Sequence, residues 1–427
     1  VQYQPAENGV VKIGENCRFC NFYLMSEFLY QVEKRRLIMK KSIAMSLALS
    51  GFASLANAQS TVTLYGVVDA GLQYVSNVGG HHLFQASSGN LQGDRWGLKG
   101  TEDLGGNMKT VFVLENGFNI YNGRLGQGGD QFGRQAYVGL STRYGTVTLG
   151  RQYDSVVDFV DPLGAATQWG TFYAAHAGDV DNMNNTNRMN NSIKYTSNNY
   201  NGLKFSAGYS LGGIAGASGR NQIITGGFGY STGSFSLGAG YVDARNPNYS
   251  FWGDNALSNT SASAAGSNNM DNRVFSGYAS AGREQIFAIA GAYIIGSFTA
   301  GLTYSNVQFK DLGSTAGVNL NPNGYSGAGK FHNTEMSLRY QVTPAFSVAG
   351  AWEYTHAYGE NNANYNEGVV GLDYFISKRT DFYFDAIYMH ASGADSTGRA
   401  AVANINGLSA SSTQSQVATI AGMRVKF

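Results

Sequence analysis

Apolar and polar residues alternate with a period of two along most of the chain. Val62, Leu64, Gly66, Val68, Ala70, Leu72 and Tyr74 share one face, and Thr63, Tyr65, Val67, Asp69, Gly71 and Gln73 share the other. Leu203, Phe205, Ala207 and Tyr209 alternate with Lys204, Ser206, Gly208 and Ser210. Thr334, Met336, Leu338 and Tyr340 alternate with Glu335, Ser337 and Arg339, and Phe346, Val348, Gly350, Trp352 and Tyr354 with Ser347, Ala349, Ala351 and Glu353. Period two predicts strands, with one apolar face and one small or polar face. Period alone does not separate a soluble sandwich from a membrane barrel. Aromatic residues at strand ends and the number of strands point to the barrel.

The predicted connections alternate in length. Short ones include 102–107, 143–145, 197–202, 231–234, 295–297, 342–345 and 376–381. Long ones are 77–93, 117–133, 152–190, 243–272, 307–331, 355–365 and 391–414. Counting strands between them predicts 16, with 14 or 18 as alternatives, because Gly and Ala blur the alternation at 223–230 and 274–294. Lipid leaves open strand edges unsatisfied, so a spanning sheet of this length closes on itself. The predicted fold is all-β, an antiparallel transmembrane barrel with a water-filled lumen.

Composition supports this reading. Charged residues are 13% of the chain and aromatic residues another 13%, with 57 Gly and only 5 Pro. Pro cannot donate to a ladder, and a disordered chain would lack the 27 Tyr and 24 Phe. The formal net charge of +1 gives no reason to expect nucleic acid.

Met39-Lys40-Lys41, the apolar stretch 42–55 and Ala56-Asn57-Ala58 have the three parts of a secretory signal peptide. Cleavage is expected after Ala58, leaving a barrel of residues 59–427. Residues 1–38 are read as a non-native upstream extension, with Met39 as the initiator. Both cysteines, Cys17 and Cys20, fall in that extension. Without a second ligand pair their spacing does not make a zinc site. Removing the seven basic and four acidic residues before position 59 turns the formal +1 into −2.

Several motifs resemble one family. They are Gln59-Ser60-Thr61-Val62-Thr63-Leu64-Tyr65-Gly66-Val67-Val68-Asp69-Ala70-Gly71, Arg95-Trp96-Gly97-Leu98-Lys99-Gly100-Thr101-Glu102-Asp103-Leu104-Gly105, Leu114-Glu115-Asn116-Gly117-Phe118, and Phe132-Gly133-Arg134-Gln135-Ala136-Tyr137-Val138-Gly139-Leu140. Together they resemble the general diffusion porins of Gram-negative outer membranes, especially the β-proteobacterial branch. The resemblance implies a third external loop folded into the lumen, within 152–190. It implies a pore constriction with Arg95, Arg134 and Arg188 on the wall, Glu115 as an acidic wall position, and Asp154, Asp158 and Asp161 on the loop, followed by Asp179 and Asp181. It also implies that Phe427 is an assembly signal read by the barrel-assembly machinery. A homotrimer, with early and late strands at its interface, is implied too. The implied function is passive diffusion of small hydrophilic solutes and ions across the outer membrane, with no cofactor and no chemical step. The alternatives are an outer-membrane barrel enzyme and an adhesin acting through loops such as 243–272.

Other features carry less. Asp179-Val180-Asp181-Asn182, with Asn184 and Asn185, is oxygen-rich but lacks the spacing of a calcium loop, and reads as a solvated loop. Gly324-x4-Gly329-Lys330 is followed by Phe331 where a phosphate loop needs Ser or Thr. The histidines, at 81, 82, 176, 332, 356 and 390, read as loop or rim residues rather than metal ligands.

Overall fold

The computed structural model describes residues 60–253 and 267–427, together with Glu33. The expected signal peptide and the Cys17–Cys20 pair lie outside the described residues, as does the upstream extension apart from Glu33. Among the described residues, no helix is long and apolar enough to cross a membrane.

Seventeen strands form one antiparallel sheet. They are β1 (Thr61–Val78), β2 (His81–Ser88), β3 (Arg95–Gly105), β4 (Met108–Gly117), β5 (Gln135–Thr142), β6 (Gly145–Gln152), β7 (Met189–Thr196), β8 (Leu203–Ser210), β9 (Ile223–Thr232), β10 (Phe235–Arg245), β11 (Arg283–Ile295), β12 (Phe298–Lys310), β13 (Gly329–Thr343), β14 (Phe346–Gly359), β15 (Ala363–Phe375), β16 (Thr380–Gly393) and β17 (Ser415–Lys426). The sheet closes because β1 also pairs with β17, with Gly71 opposite Gly422. β2 and β3 both pair with β1, one with its second half and one with its first. They are two pieces of a single barrel strand interrupted at 89–94, so the barrel has 16 strands.

The burial pattern is inverted relative to a soluble protein. On β1, Leu64 and Leu72 are 58% and 71% exposed while Asp69 and Gln73 are buried. Apolar side chains face outward and polar ones inward, as lipid outside and water inside require.

Four connections differ from expectation. The predicted long loop 355–365 is a turn of only residues 360–362, because the strands β14 and β15 run on to Gly359 and from Ala363. The segment 77–93 is not one long loop: the chain turns tightly at Gly79 and Gly80, both at positive φ, and re-enters the sheet as β2. An additional long connection runs over 211–222, between β8 and β9. The connection after β10 extends to Gly282, because 274–282 is irregular and only Arg283–Ile295 is strand.

The blurred alternation over 223–230 in β9 has a packing reason, which the neighbouring β10 shares. A short helix, α1 (Ser155–Phe159), from the long 153–188 connection lies against their inner face. A Cβ on Gly240 would sit 2.7 Å from Val156 Cα, one on Gly229 would sit 2.8 Å from the Phe159 ring, and one on Gly238 would overlap the Phe159 carbonyl. Glycines form the seat, so the wall there has no inward side chains to alternate.

Candidate functional site

The 153–188 connection is folded inside the barrel. Val156, Val160, Ala165, Trp169 and Tyr173 are all buried. Asp154 begins it as the N-cap of α1, accepting from Val156 N at 2.7 Å and Val157 N at 3.2 Å. Asn182, from the far end of the loop, donates to its other oxygen at 2.7 Å. The return leg is tied to the wall of β12 and β13. Ser305 donates to Asp181 at 2.5 Å, and Glu335 accepts from Ala165 N at 3.0 and 3.1 Å.

Between this loop and the wall of β1, β3, β4 and the start of β5 lies a cavity of about 850 Å³. Strand register sets its wall. Val67 pairs with Lys426 on one side and Arg95 on the other, so both cations point inward at one level. Two residues along, Tyr65, Gly97, Glu115 and Gln135 form the next inward row. A Cβ on Gly97 would come within 2.8 Å of the Tyr65 hydroxyl, so glycine there lets the phenol cross to Glu115. Tyr65 Oη donates to Glu115 Oε2 at 2.9 Å, while Arg134 Nε at 2.8 Å and Tyr153 Oη at 3.1 Å donate to Oε1. Arg188 approaches from the loop's end, its guanidinium 5.9 Å over the Tyr153 ring, and donates to the Thr186 carbonyl at 2.7 Å.

Arg95, Arg134, Arg188 and Glu115 all line this cavity. Asp161 joins them from the loop side, along with Thr167, to whose hydroxyl it is hydrogen-bonded. Burial pushes the Asp161 carboxyl up to about 7. Lys426 belongs to the same wall and was not anticipated, although the alternation that puts Phe427 outward puts Lys426 inward. The charged side chains lining the cavity are therefore four cations and two carboxylates.

The other loop acids are placed elsewhere. Asp154 is fully buried and taken up by the helix cap, and burial pushes it up to about 6. Asp158 lies 2.5 Å from Lys194 Nζ, against β7 and β8. Neither lines the cavity. Sequence shows charge but not which side of a loop it faces. The Asp179–Asn185 stretch is not solvated either: Asp179, Asp181 and Asn182 are fully buried. Asp179 binds Asn184 N at 2.8 Å and the Thr186 hydroxyl at 2.6 Å, folding the loop on itself. His176 is likewise internal rather than at a rim, with Nδ1 2.6 Å from Asp181. Burial opposes its protonation, but the Asp181 carboxylate prevails and raises its pKa.

Comparison with known proteins agrees with this architecture. Residues 44–394 match the Gram-negative porin family. An outer membrane porin protein of Bordetella pertussis is 39% identical over 191 residues, covering 40% of this chain and 48% of that protein, so the chain spans about half the length of that relative. An anion-selective porin from Comamonas acidovorans shares the fold with a TM-score of 0.66 at 21% identity, over 86% of this chain and 100% of the other. OmpT of Vibrio cholerae in its trimer form has a TM-score of 0.59 at 16% identity, over 86% and 99%. The inverted barrel, its inward-folded loop and the match across most of the chain make this protein a member of the Gram-negative porin family, located in the outer membrane.

Proposed function

We propose that the protein is a passive diffusion channel for small hydrophilic solutes and ions, with a charged constriction between the inward loop and the β1–β5 wall. The observation that carries this is the cavity in which Arg95, Arg134, Arg188 and Lys426 meet Glu115 and Asp161. Glu115 is already engaged with Arg134, so the remaining balance is cationic. Charges lining a narrow aqueous path set which ions enter it. In water-filled surroundings each contributes about 1 kcal/mol or less, and salt screens it. That magnitude shifts an ion's occupancy severalfold, giving a modest anion preference at low salt. The anion selectivity named for the Comamonas acidovorans neighbour supports the same sign.

Transport by this route has no chemical step, so the protein acts as a channel and not as an enzyme. It assembles as a homotrimer, a reading supported by the trimer form of the Vibrio cholerae neighbour. Reconstitution in a planar bilayer tests the function. Stepwise ohmic conductance is the expected result. A sealed bilayer, with hydrolysis of lipid or peptide by the purified protein, would replace the channel reading with the enzyme one.

A further inference from the structure

The second barrel strand is interrupted by more residues than its partner can face. Ser88 on β2 pairs with Ala70 and Arg95 on β3 pairs with Val67, so the six residues 89–94 face only Val68 and Asp69 on β1. Four residues are therefore surplus to the ladder, more than an ordinary bulge inserts. They fold inward. Asn90 and Leu91 are buried, and Asn90 O accepts from Phe172 N of the 153–188 connection at 2.8 Å.

Two aspartates hold this insert on its own strand. Asp69 Oδ2 accepts from Leu91 N at 2.7 Å and from Gln92 N at 2.8 Å, and its backbone oxygen accepts from Gly89 N at 2.8 Å. Asp94 Oδ1 accepts from Asp69 N at 2.5 Å. The break thus leaves the Asp69 backbone paired. Tyr383 Oη donates to Asp69 Oδ1 at 2.5 Å, and Asn90 Nδ2 donates to Tyr383 Oη at 2.9 Å. The neck is tight: Gly89 turns at φ 69°, and a Cβ there would lie 2.9 Å from Gly93 Cα.

The insert shares the constriction cavity with the inward loop. Gln92 and Gly93 line it from the insert, and Asp161 and Thr167 from the loop. Arg134 lies against the insert, since a Cβ on Gly93 would come within 3.2 Å of its Nη1. Between the anchors Gln92 is only partly buried, a neutral residue among the cations of the wall.

We propose that the 89–94 insert is a second lip of the constriction, and that Gln92 is a specificity-determining residue for what passes between lip and loop. The proposal rests on the channel reading given above. Pore width and the hydrogen-bonding groups along the path decide passage. A glutamine amide offers an acceptor oxygen and N–H donors without adding charge. Asp69 and Asp94 fasten the lip to the barrel wall, so it narrows the path from a side that the loop does not supply.

Residues 59–427 hold no cysteine, so Gln92→Cys introduces a single thiol into the barrel. The full-length variant is recorded in a planar bilayer before and after reaction with methanethiosulfonates that carry a sulfonate or a trimethylammonium group. Wild type is the control, and mass reports labelling. With either adduct, the expected single-channel conductance is about twofold lower than before reaction. The zero-current potential should shift in opposite directions, toward cation selectivity with the sulfonate and toward anion selectivity with the ammonium. A labelled channel with unchanged conductance and potential would overturn the proposal. So would a thiol that neither reagent reaches in the heat-modifiable protein. Both results leave the channel reading standing, because ohmic steps are still recorded; a wild type without steps removes the channel reading and the lip with it.

Discussion

Arg134 donates through Nε to Glu115 Oε1 at 2.8 Å, and this pair is itself nearly buried, with side-chain exposures of 10% and 6%. The acid on the cationic wall is thus consumed by a neighbour. Tyr65 and Tyr153 complete its hydrogen bonding. Glu115 and Arg134 therefore offset each other, and the charge offered to an ion comes from Arg95, Arg188 and Lys426 against Asp161.

Replacing Glu115 by Gln releases Arg134 from that pair. Anion preference should increase, and the folded barrel should lose about 1–3 kcal/mol for the buried partner left poorly satisfied. Reversal potentials in a salt gradient and the temperature of the gel-mobility shift report the two effects. An unchanged reversal potential would mean that Glu115 lies outside the ion path.

Asp161 should make the proposed constriction sensitive to pH. Burial raises its carboxyl from 3.8 to about 7, with Asp154 adding to the rise and Thr167, Arg134 and Arg95 opposing it. The sign follows from protonation. Below about 7 the native carboxyl is neutral and the cations dominate; above it the charge appears and offsets one of them. Anion preference should therefore be stronger at pH 6 than at pH 8. The loop's fold responds in the same window, since a raised carboxyl costs stability as pH climbs from the unfolded value to the folded one. The variant Asp161→Asn should remove the pH dependence of selectivity. Its persistence in that variant would assign the titration to another group.

Much of the barrel was legible because lipid outside and water inside impose a strict alternation. Leu72 and Gln73 are adjacent, and one is exposed while the other is buried. The legibility failed where the lumen is filled by protein instead of water. Gly227, Gly229, Gly238 and Gly240 show no period because a folded loop replaces their side chains. In the site, Arg95, Arg134 and Glu115 could be placed by strand parity or motif. Asp154 and Asp158 could not, since a loop has no period. Capping and the Lys194 pair draw those two acids away from the cavity.

The glycine seat is open to direct test. Gly240→Val places atoms where the Val156 backbone lies and should displace α1, at a cost of about 1–3 kcal/mol for overpacking. The barrel should still form, with a larger single-channel conductance as the loop leaves the lumen. Wild-type conductance in a folded variant would show that the loop does not narrow the pore.

Phe427 sits at the seam that closes the barrel. Its amide donates to Gly66 O at 3.0 Å and its carbonyl accepts from Gly66 N at 3.1 Å, while its ring covers Gly66, where any Cβ would overlap it. Deleting Phe427 removes both bonds and should lower the yield of heat-modifiable protein in the membrane without affecting synthesis. Undiminished insertion would contradict an assembly role.

The central claim is that the wall cations select the ions that pass. Zero-current potentials in a potassium chloride gradient at low salt, for wild type, Arg95→Ser and Arg134→Ser, test it most directly. Expected are anion preference in the wild type, a shift toward cation selectivity in both variants, and convergence of all three at high salt as screening removes contributions of about 1 kcal/mol. Identical potentials for the three proteins at low salt would contradict it, and would place the constriction elsewhere in the barrel.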